Sequence, residues 1–412
     1  MKRLDSAGAS LRAPLEFTLM KIGAEMTKKG KTGLFTKVSN MEDKMRKLFE
    51  ETQINGMVLA NRFVRSATWE GMAGEDGSAT PKLIDCMINL AKGGIGLIIS
   101  SHTYIHRAGQ AGPWQLGVYS DDLIPGLTDM ADAVHKNNGK IVMQLAHAGF
   151  FANAKLSGHP PLAVSDVEGM AKSPRKELTI QEIGEIVQAF ADAAKRAKSA
   201  GFDGVQIHSA HGYLMSQFLS PAFNRRTDKY GGSVENRARA LMETLRAVRS
   251  GVGQDYPVLV KMNSRDFVEN GLGLEDSIQV GKMLEEGGID AIELSGGVLT
   301  GGKLSPSRMG IHSEEKEAYF RQEAEAFREK VAVPLILVGG NRSYNVAERI
   351  IADGTADYIS MCRPLIREPG LINRWKSGNF ARSACLSDNQ CFGPAMAGEG
   401  IYCVTEKKEK AS

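Results

Sequence analysis

The chain alternates short apolar segments with amphipathic helical segments from residue 63 to residue 363. Each apolar segment is rich in β-branched residues and nearly continuous in apolar character, as strands buried on both faces are. Eight such segments separated by helices predict an α/β fold, a (β/α)8 TIM barrel, in preference to an open doubly wound sheet. The predicted strands cover residues 63–68, 97–101, 141–146, 204–208, 258–263, 291–296, 334–340 and 358–363.

The clearest helical pattern lies between the third and fourth predicted strands, at residues 179–201. Thr179 is placed to cap its amino end, and Gly201 is placed to end it. Further helices are predicted over residues 81–94, 233–251, 274–288 and 343–354. The apolar stripe of the clearest helix consists of Ile183, Ile186, Val187, Phe190, Ala194 and Ala197.

The chain divides into a barrel at 48–380, an N-terminal extension at 1–47 and a cysteine-containing C-terminal tail at 381–412. The first 48 residues carry eleven Lys and Arg against five Asp and Glu, whereas the whole chain has a net charge of only +3. No continuous apolar segment marks the extension as a secretory signal. We therefore expect a flexible or weakly helical extension.

Composition narrows the functional classes. Apolar residues make up 42% and charged residues 24%, the balance of a globular protein in water. The small net charge does not indicate a surface that binds nucleic acid. Apolar segments of about six residues are too short to span a membrane. Five cysteines, an odd count in a long chain, favour a reducing cytoplasm over a disulfide framework. A homo-oligomer is compatible with the sequence.

Two histidines and a tyrosine follow the fourth predicted strand: His208 ends it, and His211 and Tyr213 begin the next loop. The carboxyl ends of barrel strands converge on one mouth, so we expect these side chains to face a common ligand. Neutral imidazoles can polarise a carbonyl oxygen, and a protonated phenol can act as a general acid. Metal binding and a purely structural role are the alternatives.

The segment "HSAHGYLMSQFLSPAFNRRTDKYGGSVENRAR" (208–239) resembles the signature of the old yellow enzyme family, the NADH:flavin oxidoreductases. These are FMN-dependent barrels that reduce activated alkenes, and they are related to the N-terminal domain of 2,4-dienoyl-CoA reductase. Related motifs follow in order along the chain, at residues 48–68, 93–100, 144–149, 337–343 and 360–378. The resemblance implies FMN as the cofactor and NAD(P)H as a transient hydride donor.

The same resemblance implies roles for individual residues. His208 and His211 match the pair that binds the carbonyl oxygen of the substrate, and Tyr213 matches the proton donor. The cofactor-binding residues that it implies are Ser66, Ala67, Thr68, His102, Gln144, Lys261, Gly339, Gly340, Cys362 and Arg363.

Chemical arguments also apply to two parts of this cofactor site. Strands seven and eight of barrels often carry a phosphate site, glycines admit backbone N–H groups, and Arg363 supplies a bidentate cation. Lys261 stands where the family usually has Arg beside the flavin N1/O2 edge. Lys keeps the positive charge of Arg but lacks the planar guanidinium, which can donate two parallel hydrogen bonds. His102 and Trp69 also depart from the family pattern, which predicts a differently shaped substrate pocket. "GGIG" (93–96) precedes a strand and therefore lacks the context of a dinucleotide fingerprint.

The tail resembles the [4Fe–4S] motif of larger family members, which has a C-x2-C-N-x2-C-x11-C-like spacing. The corresponding residues here are Cys385, Asp388, Cys391 and Cys403, for which we expect the cluster spacing to be kept, with a carboxylate in place of one thiolate. Three hypotheses follow: a cluster with Asp388 as an oxygen ligand or an open iron, a three-iron form, or a metal-free remnant packed on the barrel. We favour the metal-free form, because losing one ligand usually loses a metal site.

Three functions remain in view. The first is an ene-reductase that transfers hydride from NAD(P)H through FMN N5 to the C=C bond of an enone or enoyl substrate. The second is a dienoyl-CoA-reductase-like or dealkylating flavoenzyme that passes electrons through an iron–sulfur cluster in the tail. The third is a non-catalytic barrel that stores flavin, and the polar group at 208–213 argues against it.

Overall fold

The structure, a computed structural model, describes residues 47–167 and 174–411. The predicted N-terminal extension lies almost wholly outside the described residues. The strands in chain order are β1 (Thr52–Ile54), β2 (Met57–Leu59), β3 (Phe63–Arg65), β4 (Leu97–Tyr104), β5 (Ile141–Ala146), β6 (Leu162–Ala163), β7 (Lys176–Glu177), β8 (Gly204–Ser209), β9 (Val258–Asn263), β10 (Ala291–Ser295), β11 (Leu335–Leu337) and β12 (Tyr358–Met361).

Eight of these strands form a closed barrel in the order β3-β4-β5-β8-β9-β10-β11-β12, with β12 returning to β3. Every pairing in the barrel is parallel. Each of the eight predicted strands is present, so the prediction of a (β/α)8 barrel is confirmed. The predicted strand at 334–340 is the least accurate, because the chain leaves the sheet after Leu337.

Helices connect the barrel strands and pack around them. They are α1 (Pro81–Lys92), α2 (Ile124–His135), α3 (Ala154–Ser157), α4 (Ile180–Ser199), α5 (Leu214–Leu219), α6 (Val234–Val252), α7 (Leu274–Glu286), α8 (Arg321–Arg328), α9 (Tyr344–Ala352), α10 (Arg363–Arg367), α11 (Leu371–Lys376), α12 (Phe392–Met396) and α13 (Val404–Ala411). No helix in the described ranges is long and apolar enough to cross a membrane.

Helix α4 shows why the predicted helices form. Thr179 and Glu182 make a capping box, in which the Thr179 hydroxyl accepts from the Glu182 N–H (3.2 Å) and the Glu182 carboxylate accepts from the Thr179 N–H (2.9 Å). The predicted apolar stripe is buried against the barrel, apart from Val187, which is half-buried. Gly201 takes a φ of +83°, which an L side chain rarely adopts, and the chain then enters β8.

The two ends of the barrel differ in character. A hairpin of β1 and β2 closes the amino end, where Ile54, Met57 and Leu59 pack against apolar side chains from inside the barrel. The carboxyl halves of the strands instead carry buried polar residues, among them Gln144, His208 and Lys261. Burying polar groups is costly unless they find partners, so this end is where a ligand site is expected.

Candidate active site

A cavity opens at the carboxyl end of the barrel, between the strand ends and the loops that follow them. It brings together twelve of the thirteen predicted catalytic and cofactor-binding residues. Those that line it are Ser66, Ala67, Thr68, His102, Gln144, His208, His211, Tyr213, Lys261, Gly340, Cys362 and Arg363. Gly339 stands one position back, and its carbonyl accepts a hydrogen bond from the Tyr319 N–H (3.0 Å).

The three predicted catalytic side chains form one wall of this cavity. The ring centroids of His208 and Tyr213 are 4.7 Å apart, and those of His208 and His211 are 5.3 Å apart. His102 joins them from β4, with its ring 5.5 Å from that of Tyr213. The sequence predicted the first three as a group, whereas the contact of His102 with Tyr213 follows from the closure of the barrel.

The loop after β8 holds these rings through an unusual backbone. His211 has a φ of +63°, and its N–H donates to Asn263 Oδ1 at 3.1 Å. Gly212 follows with a φ of +82°, and a side chain there would meet Phe151 at 2.9 Å. A residue held in this strained region needs support from its surroundings, and such positions are common at active sites.

Burial determines the protonation states of these imidazoles and of the phenol. It lowers the pKa of His208 and of His211 well below the usual value, and the neighbouring imidazoles and Lys261 further oppose protonation. Burial also lowers the pKa of His102 to about 4 and raises the pKa of Tyr213. At neutral pH the imidazoles are therefore uncharged and the phenol keeps its proton.

A hydrogen-bond network forms the polar floor of the cavity. Lys261 Nζ donates to Ser66 Oγ at 2.7 Å and lies 3.2 Å from Glu293 Oε1. Gln144 Nε2 donates to Gln206 Oε1 at 2.7 Å. Lys261 and Gln144 were predicted as cofactor-binding residues, and both are nearly fully buried beside the cavity.

The opposite end of the cavity carries the predicted phosphate-binding residues. Gly340 has a φ of +78°, and a side chain there would meet Tyr319 Cε1 at 2.8 Å. Arg363 Nη1 donates to Asn389 Oδ1 at 2.7 Å, which links this end to the C-terminal tail. Cys362 Sγ lies 3.0 Å from the Thr68 hydroxyl.

The residues present fit FMN. Trp69 Nε1 and His208 Nδ1 are buried without a hydrogen-bond partner among the described residues, a state that a polar ligand would relieve. The floor supplies the amide of Gln144 and the cation Lys261, and the far end supplies the guanidinium of Arg363. Amide and cation suit the polar edge of a flavin, and guanidinium suits a phosphate.

The tail packs on the barrel beside the cavity. Cys391, Ala395 and Ile401 form a small apolar cluster with Trp69 and other side chains. Burial raises the pKa of the Cys391 thiol to about 12 and also raises the pKa of Cys385, so both thiols are protonated at neutral pH.

The expectation that the tail keeps the cluster spacing is wrong at one point. Asp388 and Cys391 enclose two residues, one fewer than C-N-x2-C requires. The Asp388 carboxylate also accepts from the Thr405 hydroxyl (3.2 Å) and the Gln390 N–H (3.1 Å). Within residues 47–167 and 174–411, no three His, Cys, Asp or Glu side chains meet as a metal site.

Several residues around the site were not singled out from the sequence. Glu293 and Gln206 lie in the floor network, and Ser295 Oγ contacts His211 Nε2 at 2.8 Å. The available signal was a charged or amide side chain inside a strand that is otherwise apolar, as in "AIELS" and "GVQIH".

Comparison with known proteins identifies relatives of this chain. A sequence model of the NADH:flavin oxidoreductase / NADH oxidase family matches residues 47–381. The NADH oxidase of Thermoanaerobacter brockii is 40% identical over 378 residues, which cover 86% of this chain and 57% of that protein.

Solved structures agree in fold. A 2-naphthoyl-CoA reductase superposes with a TM-score of 0.81 at 29% identity, covering 87% of this chain and 56% of that one. The old yellow enzyme homologue of Zymomonas mobilis superposes with a TM-score of 0.70 at 27% identity, covering 83% of this chain and 96% of that one. This chain spans little more than half the length of the first curated relatives that it matches. It belongs to the NADH:flavin oxidoreductase / NADH oxidase family, an FMN-dependent family of oxidoreductases.

Proposed function

We propose that this chain is an ene-reductase that uses NAD(P)H to reduce the C=C bond of an α,β-unsaturated carbonyl compound. The observation that carries the proposal is the wall of His208, His211 and Tyr213, two uncharged imidazoles and a protonated phenol facing one cavity. FMN, when bound, supplies the hydride transfer from NAD(P)H to the alkene.

The imidazoles hold the carbonyl oxygen of the substrate. Ser295 occupies Nε2 of His211, so Nδ1 is the ring nitrogen left for a ligand. The ring nitrogens of His208 make no hydrogen bond in the described part of the chain, and one of them is free to donate. Two N–H groups on one oxygen draw electrons from the conjugated C=C bond and stabilise the negative charge that develops on the oxygen.

Tyr213 is the general acid. Burial raises the pKa of its phenol, so the hydroxyl is fully protonated at neutral pH. Tyr213 delivers this proton to the α-carbon of the substrate. A weakly acidic donor suits this step, because the carbon acquires strongly basic, enolate-like character.

The remaining predicted residues bind the cofactor. Gln144 and Lys261 at the floor would hold the polar edge of the flavin, and Ser66, Ala67 and Thr68 would contact its ring. Gly340 and Arg363 at the other end would hold the phosphate. Gly339 belongs to the same turn as Gly340, and Cys362 lines the cavity next to Arg363. His102 lies beside the ring of Tyr213 and shapes the part of the cavity that would hold the substrate.

Turnover in heavy water tests the proposal. FMN-loaded protein, NADPH or NADH, and cyclohex-2-enone are combined without oxygen in D2O, and the product is examined by mass spectrometry and NMR. We expect cyclohexanone with one deuterium at the α-carbon, from Tyr213, and hydrogen from the nicotinamide at the β-carbon. NAD(P)H oxidation with unchanged enone, across several enones, would contradict the proposal.

A further inference from the structure

Glu293 is a carboxylate at the centre of the barrel that the proposed reaction does not use. It lies in the middle of β10, is 0% exposed and does not line the cavity. Its Oε1 accepts from the hydroxyls of Ser66 and Ser360, both at 2.7 Å, and its Oε2 accepts from Gln206 Nε2 at 3.0 Å. A charge buried this deeply has a large influence on any ligand above it.

The first effect of Glu293 is on charge. Lys261 lines the cavity floor, and its Nζ lies 3.2 Å from Glu293 Oε1. Burial works to raise the pKa of Glu293, but Lys261 and the three hydrogen-bond donors outweigh it and lower the pKa, so the carboxylate is ionised. The ammonium and the carboxylate form a neutral pair, and the field that Lys261 alone would exert in the cavity is largely cancelled.

The second effect is on hydrogen-bond polarity. An ionised carboxylate only accepts, so Gln206 must turn its NH2 towards Glu293 and its carbonyl towards Gln144. Gln144 then donates its own NH2 to Gln206 at 2.7 Å. Its carbonyl oxygen is left without a hydrogen bond in the described part of the chain, beside the cavity. The carboxylate therefore makes Gln144 an acceptor towards a ligand.

We propose that Glu293 is a positioning residue that lowers the reduction potential of the bound flavin, by neutralising Lys261 and by holding Gln144 as an acceptor through Gln206. Both effects act in one direction, because an uncompensated cation or an amide donor at the floor would stabilise an anionic reduced flavin. The inference rests on the FMN site of the proposed function, and it is independent of which substrate the enzyme reduces.

The test is the reduction potential of FMN-loaded Glu293→Gln, measured by equilibration with a reference dye. We expect the preference for reduced over oxidised FMN to rise at least tenfold, which is about 30 mV for a two-electron couple. The matched control is Glu70→Gln, another buried glutamate paired with a cation, Arg65, but outside the cavity. Its potential should stay at the wild-type value, and an unchanged or lower potential in Glu293→Gln would overturn the proposal.

A double variant covers the case in which Glu293→Gln does not retain FMN. Lys261→Gln combined with Glu293→Gln replaces the ion pair with two amides and leaves no single buried charge. Because the wild-type pair is neutral and release of Gln144 can only favour reduced FMN, the preference for reduced FMN should not fall by more than about threefold. A tenfold fall would show that Lys261 acts as an uncompensated cation and would overturn the proposal. Neither measurement uses an enone, so failure of the proposed reaction would leave the result readable.

Discussion

In the proposed reaction, Tyr213 is the residue on which the chemistry depends most directly, and two neighbouring rings explain why. The rings of His208 and His102 lie 4.7 and 5.5 Å from its own, so the phenol is fixed in position and shielded from water. A phenol in such surroundings keeps its proton until a strongly basic carbon is presented to it.

Tyr213→Phe should therefore separate the two half-reactions. Oxidation of the reduced protein by an enone should slow by about 10²-fold or more, because the proton donor is lost, whereas reduction by NAD(P)H should hardly change. Anaerobic stopped-flow spectroscopy measures both rates. Tyr319→Phe is the matched control, since Tyr319 lines the same cavity but donates its hydroxyl to the Pro306 carbonyl. Equal slowing of both half-reactions would contradict the assignment.

The pH dependence of enone reduction follows from the direction of the pKa shifts. The pKa values of His208 and His211 are lowered, so both imidazoles stay neutral down to well below pH 6.5. The pKa of Tyr213 is raised, so its phenol stays protonated above pH 10. We expect kcat/KM for the enone to be flat from about pH 6 to about pH 9. An inflection near the ordinary imidazole pKa would mean that charged histidines bind the substrate.

From the sequence, the three residues of the cavity wall could be grouped, but those of the floor beneath it could not. His208, His211 and Tyr213 are close in sequence and follow a strand, so local reasoning grouped them. Glu293 appears in the sequence only as an interruption of an apolar strand. Its partners come from four other parts of the barrel, at Ser66, Gln206, Lys261 and Ser360, and only closure of the sheet brings them together.

Among the secondary-structure elements, the turn after β11 is tightly constrained where it borders the cavity. Gly340 combines a φ of +78° with a Cβ position 2.8 Å from Tyr319. Gly354 has a similar φ of +72° but nothing within 4 Å of its Cβ position. Substitutions at these two glycines therefore distinguish the effect of backbone strain from the effect of a clash beside the cavity.

Gly340→Ala should weaken FMN binding at least tenfold, because the turn and Tyr319 must both move. Gly354→Ala should lower the free energy of unfolding by about 1 kcal/mol through backbone strain and leave FMN affinity unchanged. Fluorescence titration of the apoprotein with FMN measures the affinities, and urea denaturation measures the stabilities. Equal loss of FMN affinity in both variants would show that Gly340 acts through stability alone.

Strand prediction succeeded because each barrel strand is buried on both faces, which leaves a nearly continuous apolar segment in the sequence. Helix prediction was less complete. Helix α8 buries only Ala324 and Phe327, so its apolar stripe is too short to stand out. Helix α2 has Pro125 and Gly126 in its first turn, and in a sequence these two residues suggest a turn instead of a helix.

For the molecule as a whole, the tail decides between the proposed reaction and electron transfer through a cluster. We expect protein purified without oxygen to carry no more than traces of iron and sulfide, because Asp388 replaces a thiolate and the spacing to Cys391 is one residue short. Asp388→Cys should not restore a cluster, since the spacing is unchanged. Iron and sulfide in the amounts of a full cluster would favour the alternative function instead.

The central claim is that one cavity holds the flavin and presents two neutral imidazoles and a phenol to an unsaturated carbonyl compound. The most direct test reduces the FMN-loaded protein without oxygen, mixes it with cyclohex-2-enone and follows the flavin absorbance. The yellow colour of oxidised flavin should return in the wild type and return much more slowly in the paired variant His208→Ala with His211→Ala. A protein that stays bleached in the enone, yet turns yellow when oxygen is admitted, would contradict the account.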